Sequence, residues 1–424
     1  MDTFANIAQK QTMSSLLPEE AIAIIGAGPA GLMAADRLAH AGRKVILFER
    51  MPSPARKFLM AGRGGLNLTH SEPLESFISR YGAAAGALEP AVAAFPPEAL
   101  RALAQELGEP TFTGSSGRVF PKSFKASPLL RAWLHRLGAL GVDLQTRHTW
   151  LGWTEAGALR FATPAGEVTF APQATILALG GASWPRLGAD GSWVDLLRAE
   201  GIAVAPLVPA NMGVLIPWSP VFRERSAGEP LKRVAMACRG AQVRGEAMVT
   251  QTGLEGGAVY ALSRAVRVGL EQDGYADLVI DLRPDATETE LADRLGWAPA
   301  KQSFSTRLRK AAGLSPAAVG LLREAVGPAV MTATPAALAR ATKSLRVRVT
   351  GIAGLERAIS TAGGIEMNEL DAGFMLWRRP GVFACGEMLD WEAPTGGYLL
   401  QASFSTGRAA AEGVLAWTAA RTDA

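Results

Sequence analysis

The sequence contains only two cysteines and four histidines among its 424 residues. The cysteines, Cys238 and Cys385, form no C-x-x-C pair, which argues against a dithiol relay and favours a reducing compartment over a disulfide framework. The histidines stand at positions 40, 70, 135 and 148, without the spacing of a metal-ligand cluster. We therefore predict a cytoplasmic protein that holds no metal ion.

Long apolar runs and a strong charge of either sign are also missing. No 18 consecutive residues are apolar, so we expect no membrane-spanning helix. The first 20 residues lack the apolar centre of a signal peptide, and we predict a flexible tail at 1–20. The 43 basic and 39 acidic residues leave a net charge of +4, and no basic stripe with interleaved aromatic residues stands out. A nucleic-acid partner is therefore not favoured.

What the sequence does contain is a glycine-rich turn between an apolar strand and an alanine-rich helix. The strand IAII at 22–25 runs into GAGPAG at 26–31, and the next apolar strand, 45–48, ends at Glu49. This is the arrangement of a dinucleotide-binding fingerprint. Its glycines permit a tight turn and close approach of the backbone, its helix start faces a pyrophosphate, and its acid accepts a hydrogen bond from a ribose.

The acid at position 49 also bears on which dinucleotide binds. A carboxylate repels the 2′-phosphate of NADP, whereas FAD and NAD both remain possible from this motif alone. Far along the chain, GVFACGE at 381–387 follows an apolar strand, and TGGY at 395–398 opens a helical stretch. A flavin requires a carboxylate near its ribityl chain and a helix dipole facing its ring. The two motifs together predict FAD, held by both ends of the chain.

The two motifs enclose a central segment of different character. Short alternating strands come first and helical spacing follows, while 56–70 is predicted as a glycine-rich loop. The strand at 345–350 is predicted to return to the nucleotide-binding domain. The predicted units are a discontinuous FAD-binding domain at 21–205 and 346–424, and an inserted domain at 206–345 with a β-rich part at 206–284 and a helical part at 285–345.

These motifs, in this order, resemble those of the bacterial flavoprotein family called HI0933-like or YhiN-like. The resemblance covers about residues 20–416 and is carried by RKFLMAGRGGLNLTH at 56–70, GRVFP at 117–121, GGASWP at 180–185, ACGEMLD at 384–390 and TGGYLLQ at 395–401. It implies an α/β, Rossmann-like three-layer FAD-binding domain, with an inserted β-rich unit and a small helical unit that cover the flavin. Members carry names such as aminoacetone oxidase and 3-dehydro-bile-acid reductase.

The chain departs from the family pattern at three places. Gly65 and Leu66 stand where the family has arginine and cysteine, with an arginine at Arg63 instead. Leu399 replaces an asparagine, and TQTGLEGG at 250–257 differs from the motif of the family's insert. Because contacts to flavin or substrate are expected at these positions, the sequence predicts a divergent subgroup.

The predicted site residues form two groups. Those expected to hold FAD are Gly26, Gly28, Pro29, Ala30, Gly31, Glu49, Arg50, Arg56, Lys57, Gly62, Gly64, Gly65, Asn67, Gly180, Gly181, Gly386, Glu387, Gly396, Gly397 and Tyr398. The candidates for a catalytic side chain are Arg118, Lys122, Gln251 and Tyr398, near a pocket expected between the insert and the FAD-binding domain. For Arg118 the alternative is an ion pair with a carboxylate, and hydride transfer does not require a catalytic side chain.

The sequence thus predicts a FAD-dependent oxidoreductase that acts on a small organic substrate by hydride transfer to or from the flavin. Two alternatives remain, an amine-type oxidase that passes electrons to O₂ and a non-redox or nucleic-acid-linked flavoprotein. No second G-x-G-x-x-G occurs, so NADH or NADPH is expected only as a transient reductant. The oligomeric state is left open.

Overall fold

A computed structural model describes residues 20–62, 64–299 and 301–422. Apart from Glu20, the predicted tail at 1–20 lies outside these ranges, and so does Arg63 of the loop motif. The strands are β1 Ile22–Ile25, β2 Val45–Glu49, β3 Thr69–His70, β4 Thr111–Thr113, β5 Arg118–Pro121, β6 Asp143–Thr146, β7 Thr149–Trp153, β8 Leu159–Thr163, β9 Gly166–Phe170, β10 Ala174–Leu177, β11 Val204–Ala210, β12 Val214–Leu215, β13 Pro230–Cys238, β14 Ala241–Val249, β15 Gly253–Glu255, β16 Ala276–Asp281, β17 Leu345–Val349, β18 Gly351–Ile352, β19 Ser360–Ile365 and β20 Val382–Ala384.

Helices alternate with these strands along the chain. They are α1 Pro29–His40, α2 Arg56–Ala61, α3 Leu74–Ser79, α4 Ala85–Ala94, α5 Pro97–Glu106, α6 Ala126–Ala139, α7 Trp193–Ala199, α8 Pro220–Ser226, α9 Gly257–Tyr260, α10 Ser263–Asp273, α11 Glu288–Gly296, α12 Phe304–Ala311, α13 Pro316–Val326, α14 Pro335–Lys343 and α15 Tyr398–Thr422. The loop predicted at 56–70 therefore begins with a short helix, because its first six residues lack glycine and proline.

A parallel sheet forms the centre of the larger unit, with strand order β20-β10-β1-β2-β6. Its middle strands β1 and β10 are buried along their whole length, as expected for a sheet covered on both faces. Helices α1 and α15 pack against each other beside this sheet. The antiparallel strands β7, β8 and β9 cover the sheet as well, because Phe48 of β2 stacks on Phe161 of β8 at 4.3 Å. The predicted α/β, Rossmann-like fold is confirmed.

The insert has a hydrophobic core of its own. Its seven-stranded sheet has the order β17-β16-β13-β14-β15-β12-β18. Buried residues of the strands and of α11 to α14 belong to one cluster, so the β-rich and helical parts share a core. The helices begin where the sequence provides caps. Thr287 and Glu290 form a capping box at α11, and Ser315 caps α13.

The strand at 345–349 belongs to the insert, and its predicted return to the nucleotide-binding domain is wrong. It pairs antiparallel with β16, with Leu278 opposite Val347. Its alternation is the reason, because Leu345, Val347 and Val349 are buried while the two arginines between them are exposed, as in a strand with one covered face. The chain leaves the insert only after β18, and β19 then pairs with β11. We propose that the inserted domain extends to about residue 352.

Polar contacts join the insert to the larger unit. Nη2 of Arg267, on α10, donates to Oε1 and Oε2 of Glu392 at 2.8 and 2.7 Å, and its Nη1 donates to the carbonyl of Pro209 at 2.9 Å. Asn211 donates through Nδ2 to the carbonyl of Ala393 at 2.8 Å. The insert is therefore attached to the segment that immediately precedes the TGGY motif.

Candidate active site

The glycine-rich turn after β1 has two kinds of glycine. Gly26 has φ of +106°, and a Cβ there would lie 2.2 Å from the carbonyl oxygen of Ala178. A Cβ on Gly31 would lie 1.9 Å from the carbonyl oxygen of Gly26. Gly28 differs, because a Cβ there would meet nothing within 4 Å. Gly26 and Gly31 thus make the turn possible, while Gly28 leaves open space before the first turn of α1.

A cavity of about 550 Å³ lies along this turn and continues past the carboxyl ends of β1, β2, β10 and β20. This edge of a parallel sheet is where open α/β folds bind ligands. Fourteen predicted cofactor residues line it, namely Gly26, Gly28, Pro29, Ala30, Glu49, Arg50, Arg56, Lys57, Asn67, Gly180, Gly386, Glu387, Gly396 and Gly397. The structure therefore brings the N-terminal and C-terminal motifs to one cavity.

Six predicted cofactor residues do not line the cavity: Gly31, Gly62, Gly64, Gly65, Gly181 and Tyr398. A Cβ on Gly62 would meet Ala126 at 2.7 Å, so Gly62 allows α2 to approach α6. Gly65 has φ of +111° and lies against Phe124. These glycines are needed for turns and close packing, which a sequence motif does not distinguish from ligand contact.

The Glu49 carboxylate is held by backbone N–H groups at the end of β2. Its Oε2 accepts from Ala27 at 3.1 Å and its Oε1 accepts from Met51 at 2.8 Å. Burial raises the pKa of Glu49, although these two hydrogen bonds oppose the shift. Each oxygen retains a lone pair for a further donor, such as a ribose hydroxyl. The neighbouring Arg50 forms an ion pair with Asp190, another residue of the cavity wall.

An ionic network joins the distant parts of the wall. Nζ of Lys57, on α2, donates to Oε2 of Glu387 at 2.6 Å and also to the hydroxyl of Ser183. Oε1 of Glu387 accepts from the N–H of Thr361 at 3.1 Å, and the Thr361 hydroxyl accepts from the N–H of Ser183 at 3.0 Å. One carboxylate therefore links α2, the segment after β10, β19 and the segment after β20.

The TGGY motif forms a tight turn before α15. Gly397 has φ of +95°, and a Cβ there would lie 2.5 Å from the Cα of Thr69, so the turn requires glycine. The hydroxyl of Tyr398 donates to Oε1 of Glu72 at 2.5 Å, and Tyr81 donates to the carbonyl of Tyr398 at 2.9 Å. Burial and the bond to Glu72 raise the pKa of Tyr398. Tyr398 thus anchors the start of α15 instead of lining the cavity.

Of the four candidates for a catalytic side chain, only Arg118 lines the cavity. It lies on β5 opposite His70 of β3. The residue before His70 is Thr69, against which Gly397 packs. Its guanidinium has no hydrogen-bond or ion-pair partner among the described residues, so the carboxylate partner considered for it is not found there. Lys122 does not line the cavity, and neither does Gln251, which lies between β14 and β15.

This cavity lies within the larger unit, and the substrate pocket expected between the insert and the FAD-binding domain stays a prediction. Every residue that lines the cavity lies within 25–196 or 359–403, and none of the described residues of the insert contributes. The sequence analysis also missed part of the wall, including His148, Trp150 and Leu196. These residues carry no motif; they lie where β7 and α7 begin beside the cavity, shortly after β6 in the case of His148.

The wall suits FAD on several independent grounds. Gly28 leaves room for a pyrophosphate at the start of α1, whose first turn contains no acid. Arg56 and Lys57 add positive charge to the same wall. Asn67 also lines the cavity, and its side-chain oxygen accepts no hydrogen bond from a described residue. A carboxylate at each end, Glu49 and Glu387, provides acceptors for ribose and ribityl hydroxyls.

The sequence profile of the HI0933-like protein Rossmann domain matches residues 20–413. The chain belongs to the HI0933-like family. One curated relative is a 3-dehydro-bile acid delta(4,6)-reductase from Clostridium scindens, 26% identical over 430 residues, which covers 92% of this chain and 99% of the relative. Another is a ribosomal RNA dihydrouridine synthase from Escherichia coli, 27% identical over 407 residues, which covers 93% and 97%.

Solved structures with the same fold include two oxidoreductases. The 3-ketosteroid delta1-dehydrogenase from Sterolibacterium denitrificans has a TM-score of 0.52 at 12% identity, over 94% of this chain and all of that one. A flavocytochrome c3 fumarate reductase in its open conformation has a TM-score of 0.50 at 17% identity, over 94% of this chain and 79% of that one. Membership of the HI0933-like family identifies this chain as a FAD-dependent oxidoreductase. In the part of the chain described here, no helix is long and apolar enough to cross a membrane.

Proposed function

We propose that this HI0933-like protein reduces a carbon–carbon double bond that is conjugated to a carbonyl group in a ring. The observation that carries the proposal is Arg118, a cation on the cavity wall that has no partner among the described residues. The names of two relatives support it, since one reduces a 3-dehydro bile acid at its delta(4,6) positions and the other makes dihydrouridine. Both names describe the saturation of a double bond in a carbonyl-bearing ring.

The residues of the cavity would hold FAD along its length. The pyrophosphate would bind at the start of α1 beside Gly28, with Arg56 as a counter-charge. Glu49 would accept from the adenosine ribose, and Glu387, with Lys57 bound to it, would face the ribityl chain. The turn at 396–397 would place the helix start of α15 against the ring. Bound FAD supplies the hydride carrier for the reaction.

Arg118 would act on the substrate. Its guanidinium would donate hydrogen bonds to the carbonyl oxygen and fix the ring in one orientation. When a hydride is added to the far carbon of the double bond, electrons move toward that oxygen, and a fixed positive charge stabilises them. The near carbon then takes a proton from water, so the ring gains two hydrogens. No other side chain is required to take part in the bond changes.

The source of electrons is also a proposal. NADH or NADPH would bind transiently, since the sequence has no second dinucleotide fingerprint. The test is to reduce the purified, yellow protein anaerobically with NADH or NADPH and then to add a cyclic enone or O₂. Rapid reoxidation by the enone is expected. Reduction by amines followed by fast reoxidation with O₂ would instead establish the amine-type oxidase.

A second candidate substrate is uridine within RNA. Its ring contains a double bond conjugated to a carbonyl, so the role of Arg118 is the same, and the E. coli relative is named for this product in ribosomal RNA. The cavity wall contains no described residue of the insert, so the fold does not enclose the substrate on that side. In either case we propose a cytoplasmic enzyme, a setting that the two free, buried cysteines support.

A further inference from the structure

The β4–β5 hairpin and the turn after it carry a cluster of aromatic rings. Phe112 and Phe120 face each other across the hairpin with ring centroids 5.9 Å apart. Phe124 lies 5.1 Å from Phe112 and 5.5 Å from Phe120, and it is 49% exposed. Three phenylalanines in mutual contact at a surface are an exception to the usual burial of this residue type. They form a platform on which a flat ring can stack.

This platform adjoins the cavity. Residues two apart on a strand share a face, so Arg118 and Phe120 lie on the same face of β5, and Arg118 lines the cavity. Gly65 lies against Phe120 and Phe124, and Asn67, two residues further along, lines the cavity as well. A ligand chain that rests on the platform can therefore reach the cavity wall without crossing the insert.

The charge around the platform is of one sign. Residues 110–127 contain Arg118, Lys122 and Lys125 and no acid, with Glu109 just before them. None of these three cations has a side-chain partner among the described residues. The β8–β9 hairpin differs, since its exposed Arg160 pairs with Glu167 at 2.7 Å. Three unpaired cations beside the exposed ring of Phe124 and the half-buried rings of Phe112 and Phe120 favour a polyanion with planar bases over a ligand with one carboxylate.

We propose that Phe112, Arg118, Phe120, Lys122, Phe124 and Lys125, here called the hairpin strip, bind a single-stranded segment of RNA. Bases would stack on the phenylalanines, the lysines would contact phosphates, and Arg118 would receive the base that enters the cavity. The inference rests on the second candidate of the proposed function. The hairpin strip is not apparent in the sequence because its members are spread over 14 residues and are brought together by the pairing of β4 with β5 and by the turn after β5.

The test measures the binding of a fluorescent, uridine-rich 12-nucleotide RNA to the FAD-loaded protein by anisotropy. Phe124→Ala removes one stacking ring and is expected to weaken binding between about 5-fold and 150-fold. Phe124→Trp keeps a ring and is expected to restore it. The Lys122→Ala/Lys125→Ala variant should lower the slope of log affinity against log salt by about 1.4. The matched controls are in the insert: Trp297→Ala for the ring, since Trp297 is 84% exposed, and Arg309→Ala/Lys310→Ala for the two cations, which are exposed as well. Both control variants should bind the RNA as the unchanged protein does.

Three results would overturn the proposal. The first is that the unchanged protein does not bind the RNA. The second is that the strip variants bind it as tightly as the controls do. The third is that a 3-oxo steroid carboxylate binds in a way that depends on Phe124, while RNA binding does not depend on Phe124. The FAD content and the anaerobic reduction of each variant are measured separately. A failure of the oxidoreductase function therefore appears as lost flavin or lost reduction, whereas a failure of the strip appears only in RNA binding.

Discussion

Lys57 and Glu387 stand 330 positions apart in the sequence, yet Nζ of Lys57 lies 2.6 Å from Oε2 of Glu387. Both side chains are largely buried on the cavity wall. Removal of either one leaves a charge with little solvent to stabilise it. The pair therefore links the two ends of the chain across the proposed FAD site, and its strength can be measured.

A double-mutant cycle on this pair is expected to show strong coupling. Lys57→Met and Glu387→Gln should each weaken FAD binding. The double variant should lose less binding free energy than the two single variants together, with a coupling of about 1–3 kcal/mol. Titration calorimetry of FAD into the apoprotein measures it. The exposed pair Arg160 and Glu167 serves as the control and should show no measurable coupling in FAD binding. Additive losses at Lys57 and Glu387 would contradict the proposed site.

The open space at Gly28 predicts the effect of a large side chain there. Gly28→Leu should give a folded but colourless protein, because a Cβ at this position meets no protein atom within 4 Å and the longer side chain would occupy the place proposed for the pyrophosphate. Absorbance near 450 nm measures the bound flavin, and circular dichroism shows whether the variant is folded. Gly138→Leu, an equally open position in α6, should stay yellow. A Gly28→Leu protein that retains FAD would show that the ligand lies elsewhere.

Substitution of Arg118 is expected to affect the substrate and leave the flavin in place. Arg118→Gln removes hydrogen bonds from a charged donor, each of which contributes about 1.5–3 kcal/mol. The ratio kcat/KM for a cyclic enone should therefore fall by roughly 10-fold to 150-fold, while reduction by NADH or NADPH continues. Arg131→Gln, on the exposed face of α6, is the control. If Arg118→Gln slows the reduction of the flavin as much as its reoxidation by the enone, Arg118 acts on the flavin and not on the substrate.

The bond from Tyr398 to Glu72 predicts a pH-dependent contribution to stability. Burial raises the pKa of Glu72, but hydrogen bonds from Arg80 and Tyr398 outweigh it, so the pKa lies below its ordinary value of 4.5. The stabilisation is therefore complete above about pH 4.5 and is lost as the pH falls through the lower, folded-state pKa. Tyr398→Phe should lower the free energy of unfolding by about 1.5–3 kcal/mol at pH 7.

That difference between Tyr398→Phe and the unchanged protein should shrink when urea unfolding is repeated in acid. The control is the same comparison in a Glu72→Gln protein, which has no carboxylate to titrate at this position. There the loss of unfolding free energy caused by Tyr398→Phe should not change with pH. A difference that stays constant down to pH 3 would mean that the hydroxyl of Tyr398 does not depend on the charge of Glu72.

The parts of the site that the sequence predicts are those whose residues lie close together in the chain. The turn at 26–31 and Glu49 belong to one strand–turn–helix–strand unit, so the dinucleotide fingerprint predicts that Gly26, Gly28 and Glu49 border one cavity, as they do. The strand at 345–349 shows the limit. Its alternation predicts a strand with one buried face but carries no information about which sheet it joins. Tyr398 shows the same limit, since its hydroxyl partner Glu72 is 326 positions away.

The position of β20 has a consequence for how the protein is made. This strand, Val382–Ala384, completes one edge of the parallel sheet beside β10, and the turn that follows it carries Glu387. A ribosome adds about 5–20 residues per second, so β10 waits roughly 10–40 s for this partner. The nascent chain therefore exposes the edge of β10 until β20 is synthesised, and the FAD site proposed above is complete only after Glu387 has been added.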